Sequence, residues 1–296
     1  MRVPERIAIT GSSGLIGTAL VGHLKSEGHT VQRLVRRAPI AVDEVTWDPQ
    51  TGYVDLSALE GVDAVIHLAG APVDGKRWSK KYRAEILNSR LLGTTTIAKA
   101  VTAVKPAVFI SASAMGWYGE SGNRAVIETD RVGDDFLAAV CREWEAAADL
   151  AGDVRTVKLR TGLVLDPTGG ALGKMLPLFR LGFGGKLGSG KQWWSWITLH
   201  DVVRAIDFAL VENISGAINL TTPNPVTNQE FTSALARAVH RPALFPAPAI
   251  ALKIALGGFS NEILGSKRVL PQVLQDAGFT WNYPHITETL DALVKG

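Results

Sequence analysis

Three glycines near the start of the chain, Gly11, Gly14 and Gly17, have a spacing that suits a phosphate-binding turn. They follow the apolar run 6–10 and precede apolar residues at helical spacing, which predicts a buried strand, a tight turn and a helix. In such a turn Gly11 lets the chain reverse, Gly14 lets the backbone approach a ligand, and Gly17 lets the helix pack on the strand. The unpaired N–H groups that open the helix favour an anion, which in a nucleotide site is a pyrophosphate.

The pattern has one more residue between its first two glycines than the common dinucleotide fingerprint, and a turn without a ligand explains many such matches. The next predicted strand, 30–35, ends at Arg36 and Arg37, about twenty residues past the turn, where an acidic residue would hold a free ribose hydroxyl. A guanidinium at that position suits a 2′-phosphate, so the sequence favours NADP over NAD. The alternative is that both arginines are solvated charges at the end of a strand.

Hydroxyl groups follow the buried strand predicted at 107–110, in Ser111, Ser113 and Tyr118. Small hydroxyls at the carboxyl end of a central strand can hydrogen-bond a substrate oxygen, and a nearby tyrosine can present its O–H group to the same atom. Ser113 and Tyr118 are therefore the candidate catalytic residues. The alternative is a serine-rich turn with a packing aromatic side chain.

The elements that would position these residues alternate along the chain. Apolar runs of strand length recur at 30–35, 62–70, 107–110 and 155–165, separated by helical patterns such as 79–104. This alternation predicts an α/β fold with a Rossmann-type, doubly wound parallel sheet. Ligands bind at the carboxyl edge of such a sheet, where the glycine turn and the hydroxyl groups both fall.

The composition changes after Pro167, and glycines become frequent between 169 and 190. This stretch predicts a substrate flap or a poorly ordered connector. The chain beyond 227 is mostly helical by pattern and would form a smaller lobe. We predict an NADP-binding Rossmann domain at 1–165, to which 198–222 returns, and a substrate lobe at 166–296.

Two aromatic features have a packing and a binding interpretation. His67 lies in the apolar run 62–70, where a hydrogen-bonded core histidine is the commoner case than a ligand. Trp193, Trp194 and Trp196 could stack on a base or a sugar, but we expect them to pack beneath the smaller lobe.

Bulk properties exclude several classes of protein. The 296 residues are 46% hydrophobic and carry a net charge of only +3, without a basic block, so we expect no nucleic-acid partner. Cys141 is the only cysteine, which excludes an internal disulfide and a cysteine-based metal site, and we predict no metal. We find no signal peptide and no apolar run near the roughly 18 residues of a membrane span, so we expect a cytoplasmic protein that binds no membrane.

Several motifs together resemble the short-chain dehydrogenase/reductase superfamily, in its extended and atypical branch. They are the segments 10–17, 67–70 and 111–113, Tyr118 with Gly119, and 196–202. Segments 47–49, 88–90, 141–145 and 265–271 resemble, more narrowly, the group called "epimerase family protein", in which about 248–294 would be a C-terminal domain of unknown function. The resemblance covers nearly the whole chain.

The resemblance implies contacts for NADP(H) and for a small-molecule substrate. Ser113 would correspond to the hydroxyl that helps to polarise a substrate carbonyl. The residues implied to contact the cofactor are Gly11, Ser13, Gly14, Leu15 and Ile16 at the pyrophosphate, Arg36 and Arg37 at the 2′-phosphate, Leu68, Ala69 and Gly70 at the adenosine-side ribose and linker, and Glu85 and Arg90 from their helix.

One departure from the superfamily concerns its catalytic Tyr-x-x-x-Lys pair. Aligning the helix on Glu145 places Leu137 at the tyrosine position and Cys141 at the lysine position. A leucine has no proton to transfer, and a thiol gives no fixed positive charge. Either Ser113 and Tyr118 do the acid–base work in a rearranged site, or the protein binds its cofactor without the usual turnover.

Two functions therefore stay open. The first is an NADP(H)-binding oxidoreductase or epimerase acting on a small carbonyl or nucleotide-sugar-like substrate. The second is a catalytically weak or inactive NADP-binding sensor or scaffold protein. Helix-mediated dimers are common in the superfamily, so a homodimer is open as well, although no stripe of residues singles out an interface.

Overall fold

A computed structural model describes residues 4–295. Within that range the strands are β1 (Arg6–Thr10), β2 (Thr30–Val35), β3 (Glu44–Asp48), β4 (Tyr53–Val54), β5 (Ala64–His67), β6 (Val108–Ala114), β7 (Ala125–Val126), β8 (Arg155–Thr161), β9 (Leu163–Asp166), β10 (Trp193–Trp194), β11 (Trp196–Thr198), β12 (Gly216–Leu220), β13 (Val226–Thr227) and β14 (Arg268–Val269). The α-helices are α1 (Leu15–Ser26), α2 (Lys80–Val104), α3 (Phe136–Ala148), α4 (Gly170–Arg180), α5 (Leu199–Val211), α6 (Asn228–Ala238), α7 (Ala249–Leu256), α8 (Ser260–Leu264), α9 (Gln272–Asp276) and α10 (Ile286–Lys295).

Eight of these strands form one sheet in the order β12-β8-β6-β5-β1-β2-β3-β4. All neighbours are parallel except β4, which pairs antiparallel with β3 at one edge. From β1 the chain builds outward through β2 and β3, and from β5 it builds in the opposite direction. The strand order therefore reverses between β1 and β5, and ligands bind at the carboxyl ends beside such a reversal. The predicted α/β fold with a Rossmann-type, doubly wound parallel sheet is confirmed.

Helices cover both faces of this sheet. Ile7 and Ile9 of β1 pack with Leu20 of α1 on one face, whereas Ala8 packs with Val101 of α2 on the other. All three side chains of β1 are completely buried. Burial on both faces explains why the strand sequences are continuous apolar runs and do not alternate with polar residues.

Side-chain caps fix where α2 and α3 begin. Ser79 Oγ accepts a hydrogen bond from the Tyr82 N–H group at 3.1 Å, and Asp135 Oδ1 accepts one from the Ala138 N–H group at 2.8 Å. Such caps satisfy N–H groups that a helix leaves unpaired. They set the register in which α2 and α3 present their side chains to the sheet edge.

The second half of the chain contributes to both parts of the molecule. β12 pairs with β8 in the main sheet, and α5 packs against the same core as α1. Helices α4, α6 and α10 pack instead around the buried side chains of Trp196 and Phe231. The smaller lobe is mostly helical, as predicted, while the exact domain boundaries stay predictions.

The glycine-rich stretch 169–190 contains α4 over Gly170–Arg180, so this part is not a poorly ordered connector, and the substrate flap stays a prediction. Leu172, Leu176 and Phe179 of α4 are buried at helical spacing against the core of the lobe. This apolar stripe outweighs the weak helix propensity of the glycines.

The three tryptophans and His67 all pack inside the protein, as expected. The indole N–H groups of Trp193, Trp194 and Trp196 donate to protein oxygens, and Trp196 is completely buried. His67 is also completely buried, with its Nδ1 2.7 Å from Thr10 Oγ1, and burial lowers the pKa of its ring to about 3. No described helix is both long enough and apolar enough to span a bilayer.

Candidate functional site

The turn between β1 and α1 has the geometry expected of a phosphate-binding loop. Gly11 has a φ of 70°, and a Cβ atom there would lie 2.8 Å from the Ala69 nitrogen. A Cβ atom at Gly17 would lie 2.1 Å from the Gly11 carbonyl oxygen, so α1 can pack on the turn only with glycine at this position. No side chain caps α1, and its first turn has no acidic residue. Its N-terminal N–H groups therefore favour an anionic ligand.

Two adjoining pockets lie at the carboxyl edge of the sheet. The larger one, about 670 Å³, is called the polar pocket here; it is lined by Gly11–Gly14, Arg33–Arg37, Glu44, Trp47 and Leu68–Gly70. The smaller one, about 290 Å³, is called the apolar pocket; it is lined by Gly11, Gly14–Gly17, Leu68, Ala112, Ser113, Trp144, Leu159, Thr161, Val164, Val202, Ile206 and Leu220. The two share Gly11, Gly14 and Leu68, so a single elongated ligand can occupy both.

Three arginines line the polar pocket, and two of them are engaged. Arg33 Nη2 lies 2.7 Å from Asp43 Oδ1, and Arg37 Nη2 lies 2.6 Å from Glu44 Oε1. Arg36 is exposed and makes no hydrogen bond or ion pair with any residue in 4–295. The structure therefore leaves the charge of Arg36 available to a ligand, whereas Arg37, predicted for the same role, is bound to Glu44.

The carboxylates of the polar pocket are held in their ionised form. Hydrogen bonds from the Arg37 guanidinium and from the Ile40 N–H group lower the pKa of Glu44 to about 2. Hydrogen bonds from Arg33 and Lys25 likewise lower the pKa of Asp43. Each carboxylate thus neutralises arginine charge near the pocket.

Ser113 lines the apolar pocket, near the end of β6, and its contact with a substrate stays a prediction. Its Oγ atom donates a hydrogen bond to Glu145 Oε1 at 2.7 Å. Arg160 Nε and Nη2 donate to the two oxygens of the same carboxylate at 2.8 and 3.0 Å. Ser113, Glu145 and Arg160 are all buried. The Ser113 hydroxyl is therefore part of a buried ionic network behind the pocket wall.

Tyr118, the second predicted catalytic residue, lines neither pocket. It is buried, and its hydroxyl donates to Asn219 Oδ1 at 2.7 Å and accepts from Arg160 Nη1 at 3.1 Å. Burial raises the pKa of this hydroxyl to about 12. The structure therefore does not bring Tyr118 to either pocket, and its catalytic role stays a prediction.

Leu137 and Cys141 pack on Gly116 and supply no proton or charge. A Cβ atom at Gly116 would lie 3.2 Å from Leu137 Cβ and 3.5 Å from Cys141 Sγ. Burial raises the pKa of the Cys141 thiol to about 12, and the thiol donates to the Ala114 carbonyl oxygen. Leu137 and Cys141 on α3 therefore do not replace the tyrosine and lysine of the Tyr-x-x-x-Lys pattern.

The two residues predicted on α2 differ in position. Glu85 is exposed and lines neither pocket, so the structure does not bring it to the site. Arg90 packs beside Gly70 with its guanidinium 4.7 Å from the Trp144 ring, and its Nη1 donates to the Ala71 carbonyl oxygen at 2.9 Å. Burial lowers the pKa of Arg90, which forms no ion pair within the described part of the chain. Arg90 therefore lines neither pocket, but it lies against Gly70 of the polar pocket and Trp144 of the apolar pocket.

Sequence analysis missed several pocket residues, among them Arg33, Glu44, Trp144 and Thr161. Arg33 and Glu44 are register partners on β2 and β3, and Thr161 ends β8. The shared carboxyl edge of a parallel sheet is the signal that could have identified Thr161. Among residues 4–295, no cluster of three or more His, Cys, Asp or Glu side chains could hold a metal ion.

The reversed parallel sheet and the uncapped helix beside a long groove define a Rossmann-type, nucleotide-binding class of protein. The chain belongs to the NAD dependent epimerase/dehydratase family, whose model matches residues 7–220. Residues 247–293 match a domain of unknown function, DUF1731. Both matches confirm the resemblance found in the sequence.

Three relatives cover nearly the whole chain. "Epimerase family protein Mb2239" of Mycobacterium bovis is 46% identical over 96% of each chain. The Arabidopsis thaliana "epimerase family protein SDR39U1 homolog, chloroplastic" is 36% identical over 98% of this chain and 86% of its own. The crystal structure of human epimerase family protein SDR39U1 with NADPH superposes with a TM-score of 0.91 and 32% identity, over 98% of this chain and 99% of the human one. The cofactor predicted from Arg36 agrees with the NADPH of that structure.

Proposed function

We propose that the protein is an NADP(H)-dependent oxidoreductase that acts on a small carbonyl or alcohol. The observation that carries this proposal is the single groove with an unpaired Arg36 at one end and the uncapped start of α1 in the middle. A guanidinium suits the 2′-phosphate, and the N–H groups of α1 suit the pyrophosphate. The nicotinamide half would then reach the apolar pocket, where it supplies or accepts a hydride.

The protein's own residues would bind and orient the reactants. Gly11, Ser13, Gly14, Leu15 and Ile16 surround the phosphates in this proposal, and Leu68–Gly70 border the adenosine-side ribose. Leu159, Val164 and Leu220 in the wall of the apolar pocket would limit the water around the reacting atoms. Ser113 is the side chain that contacts the substrate oxygen.

Calorimetry on the cofactor-free protein tests the binding half of the proposal. We expect NADPH to bind more tightly than NADH, because only NADPH carries the group that Arg36 would neutralise. Arg131→Gln, which removes an exposed arginine outside both pockets, is the matched control and should leave both affinities unchanged. Absence of binding heat with both nucleotides would overturn the proposal.

Turnover is tested separately, by following NADPH oxidation with a panel of small aldehydes and ketones. The second candidate function, an NADP(H)-binding sensor or scaffold, is favoured by one specific observation: Leu137, Cys141 and the buried Tyr118 offer no acid at the pocket. Tight NADPH binding without turnover of any compound in the panel would support this candidate. The homodimer stays a prediction, for which light scattering gives the mass in solution.

A further inference from the structure

The apolar pocket has few polar side-chain atoms, and its two hydroxyl groups already donate hydrogen bonds within the protein. Ser113 Oγ donates its proton to Glu145 Oε1 at 2.7 Å. Thr161 Oγ1 donates its proton to the Leu159 carbonyl oxygen at 3.2 Å. A hydroxyl has one proton and two lone pairs. While these hydrogen bonds are kept, both hydroxyls act towards a ligand as hydrogen-bond acceptors.

The direction of the Ser113 hydrogen bond is fixed by the residues behind it. Glu145 receives two hydrogen bonds from Arg160, at 2.8 and 3.0 Å, and this buried guanidinium favours the ionised carboxylate. An ionised carboxylate has no proton to donate. Ser113 must therefore be the donor in its contact with Glu145. Turning its proton to the pocket would cost Glu145 Oε1 one of its two hydrogen bonds and leave the one from Arg160 Nε.

One side-chain donor remains on the pocket wall, and it is not accessible. The Trp144 Nε1 atom is fully buried and has no hydrogen-bond partner among the described residues. Glu145 follows it on α3 and faces Ser113, not the ligand space. The side chains that line the apolar pocket thus present lone pairs and hydrocarbon to a ligand, and no exposed N–H or O–H group.

We propose that the apolar pocket recognises the alcohol form of its substrate, with Ser113 Oγ accepting a hydrogen bond from the substrate hydroxyl. The inference rests on the proposed function and narrows its substrate class to small, largely apolar alcohols. A hydroxyl supplies the proton that the Ser113 oxygen needs. A ketone oxygen in the same place would bring its lone pairs against those of Ser113 Oγ. The ketone therefore binds more weakly than the alcohol.

Matched alcohol and ketone pairs test this preference, and cyclohexanol with cyclohexanone is the first pair. Cyclohexanol is titrated into protein saturated with NADPH and cyclohexanone into protein saturated with NADP⁺, because neither combination can react. Both are also titrated into the cofactor-free protein. Ligand-observed NMR gives the dissociation constants. We expect the wild-type protein to bind the alcohol about fivefold more tightly, which is the ratio that one net hydrogen bond supplies.

Two serine variants separate the hydrogen bond from general effects. Ser113→Ala removes the acceptor, and the alcohol-to-ketone ratio should fall to about one. Ser111→Ala is the control, because Ser111 lies on the same strand, is equally buried, donates to a backbone oxygen and lines neither pocket. It should keep the wild-type ratio. Thermal unfolding of both variants verifies that they fold.

Several results would overturn the inference. These are a ketone bound as tightly as its alcohol, a preference that survives in Ser113→Ala, and no measurable binding of any alcohol in a homologous series. Weaker NADP(H) binding in Ser113→Ala, with no change in the alcohol-to-ketone ratio, would show that Ser113 serves the cofactor instead. The titrations without cofactor keep this result distinct from a failure of the proposed function, which is a failure to bind NADP(H).

Discussion

The two adjoining pockets use charged residues in opposite ways. In the polar pocket, Arg33 and Arg37 are paired with carboxylates at the wall, and the unpaired Arg36 faces the ligand space. Behind the apolar pocket, Arg160 and Glu145 are paired with each other, and Ser113, which donates to Glu145, is the residue of the three that lines the pocket. The polar pocket therefore selects a ligand by charge, and the apolar pocket selects by the direction of one hydrogen bond.

The turn shared by both pockets should give the largest effect. In Gly17→Ala the new methyl group would meet the Gly11 carbonyl oxygen at 2.1 Å, so the turn or the helix must move. We expect the free energy of unfolding to fall by about 3 kcal/mol. We expect NADPH affinity to fall about 100-fold, because the N–H groups at the start of α1 lose their position. Chemical denaturation and calorimetry measure the two quantities.

Gly22→Ala is the matched control on the same helix, since no atom lies within 4 Å of a Cβ atom at that position. It should raise the stability by about 0.5–1 kcal/mol, as expected of alanine for glycine inside a helix. Equal behaviour of the two variants would contradict the view that Gly17 sets the packing of α1 on the turn.

A comparison of two neighbouring arginines tests whether the polar pocket selects its ligand by charge. Arg36→Gln should weaken NADPH binding about 30-fold and leave NADH binding unchanged, because it removes the free guanidinium that meets the 2′-phosphate. Arg37→Gln should have a much smaller effect, since that guanidinium already binds Glu44 at 2.6 Å. Calorimetry with both nucleotides measures the pair, and a larger loss in Arg37→Gln would reverse the assignment.

The glycine turn, the parallel sheet and the helical lobe could be predicted because their signals are local. Gly11, Gly14 and Gly17 lie within seven residues, and the apolar runs report burial directly. The hydrogen bonds of the Tyr118 hydroxyl could not be predicted in this way, because its partners Asn219 and Arg160 lie 101 and 42 residues away. Likewise, Arg36 and Arg37 are equivalent in the sequence, and only the pairing of β2 with β3 brings Glu44 to one of them.

We expect the buried hydrogen-bond network behind the apolar pocket to stabilise the fold, and a variant of Tyr118 tests this. Tyr118→Phe leaves Asn219 and one Arg160 nitrogen without the hydroxyl that they contact. We expect a loss of about 1–2 kcal/mol in the free energy of unfolding, the cost of unpaired buried polar groups. NADPH affinity and any turnover should be unchanged, since Tyr118 lines neither pocket. A selective loss of turnover with normal stability would restore Tyr118 as an acid.

The smallest effect should come from titrating the carboxylate of the polar pocket. The pKa of Glu44 is lowered from 4.5 to about 2 by its hydrogen bonds with Arg37 and the Ile40 N–H group. A lowered folded-state pKa stabilises the protein fully above the unfolded value of 4.5, and this contribution is lost as the pH falls towards 2. The thermal midpoint of the wild-type protein should therefore fall between about pH 5 and about pH 3 more steeply than that of Glu44→Gln, which has no charge to lose there. Because Arg37 is half exposed, the difference between the two curves should be only about 2 °C. Parallel curves for the two proteins would mean that Glu44 contributes no pairing energy and that Arg37 is as free as Arg36 to meet a phosphate.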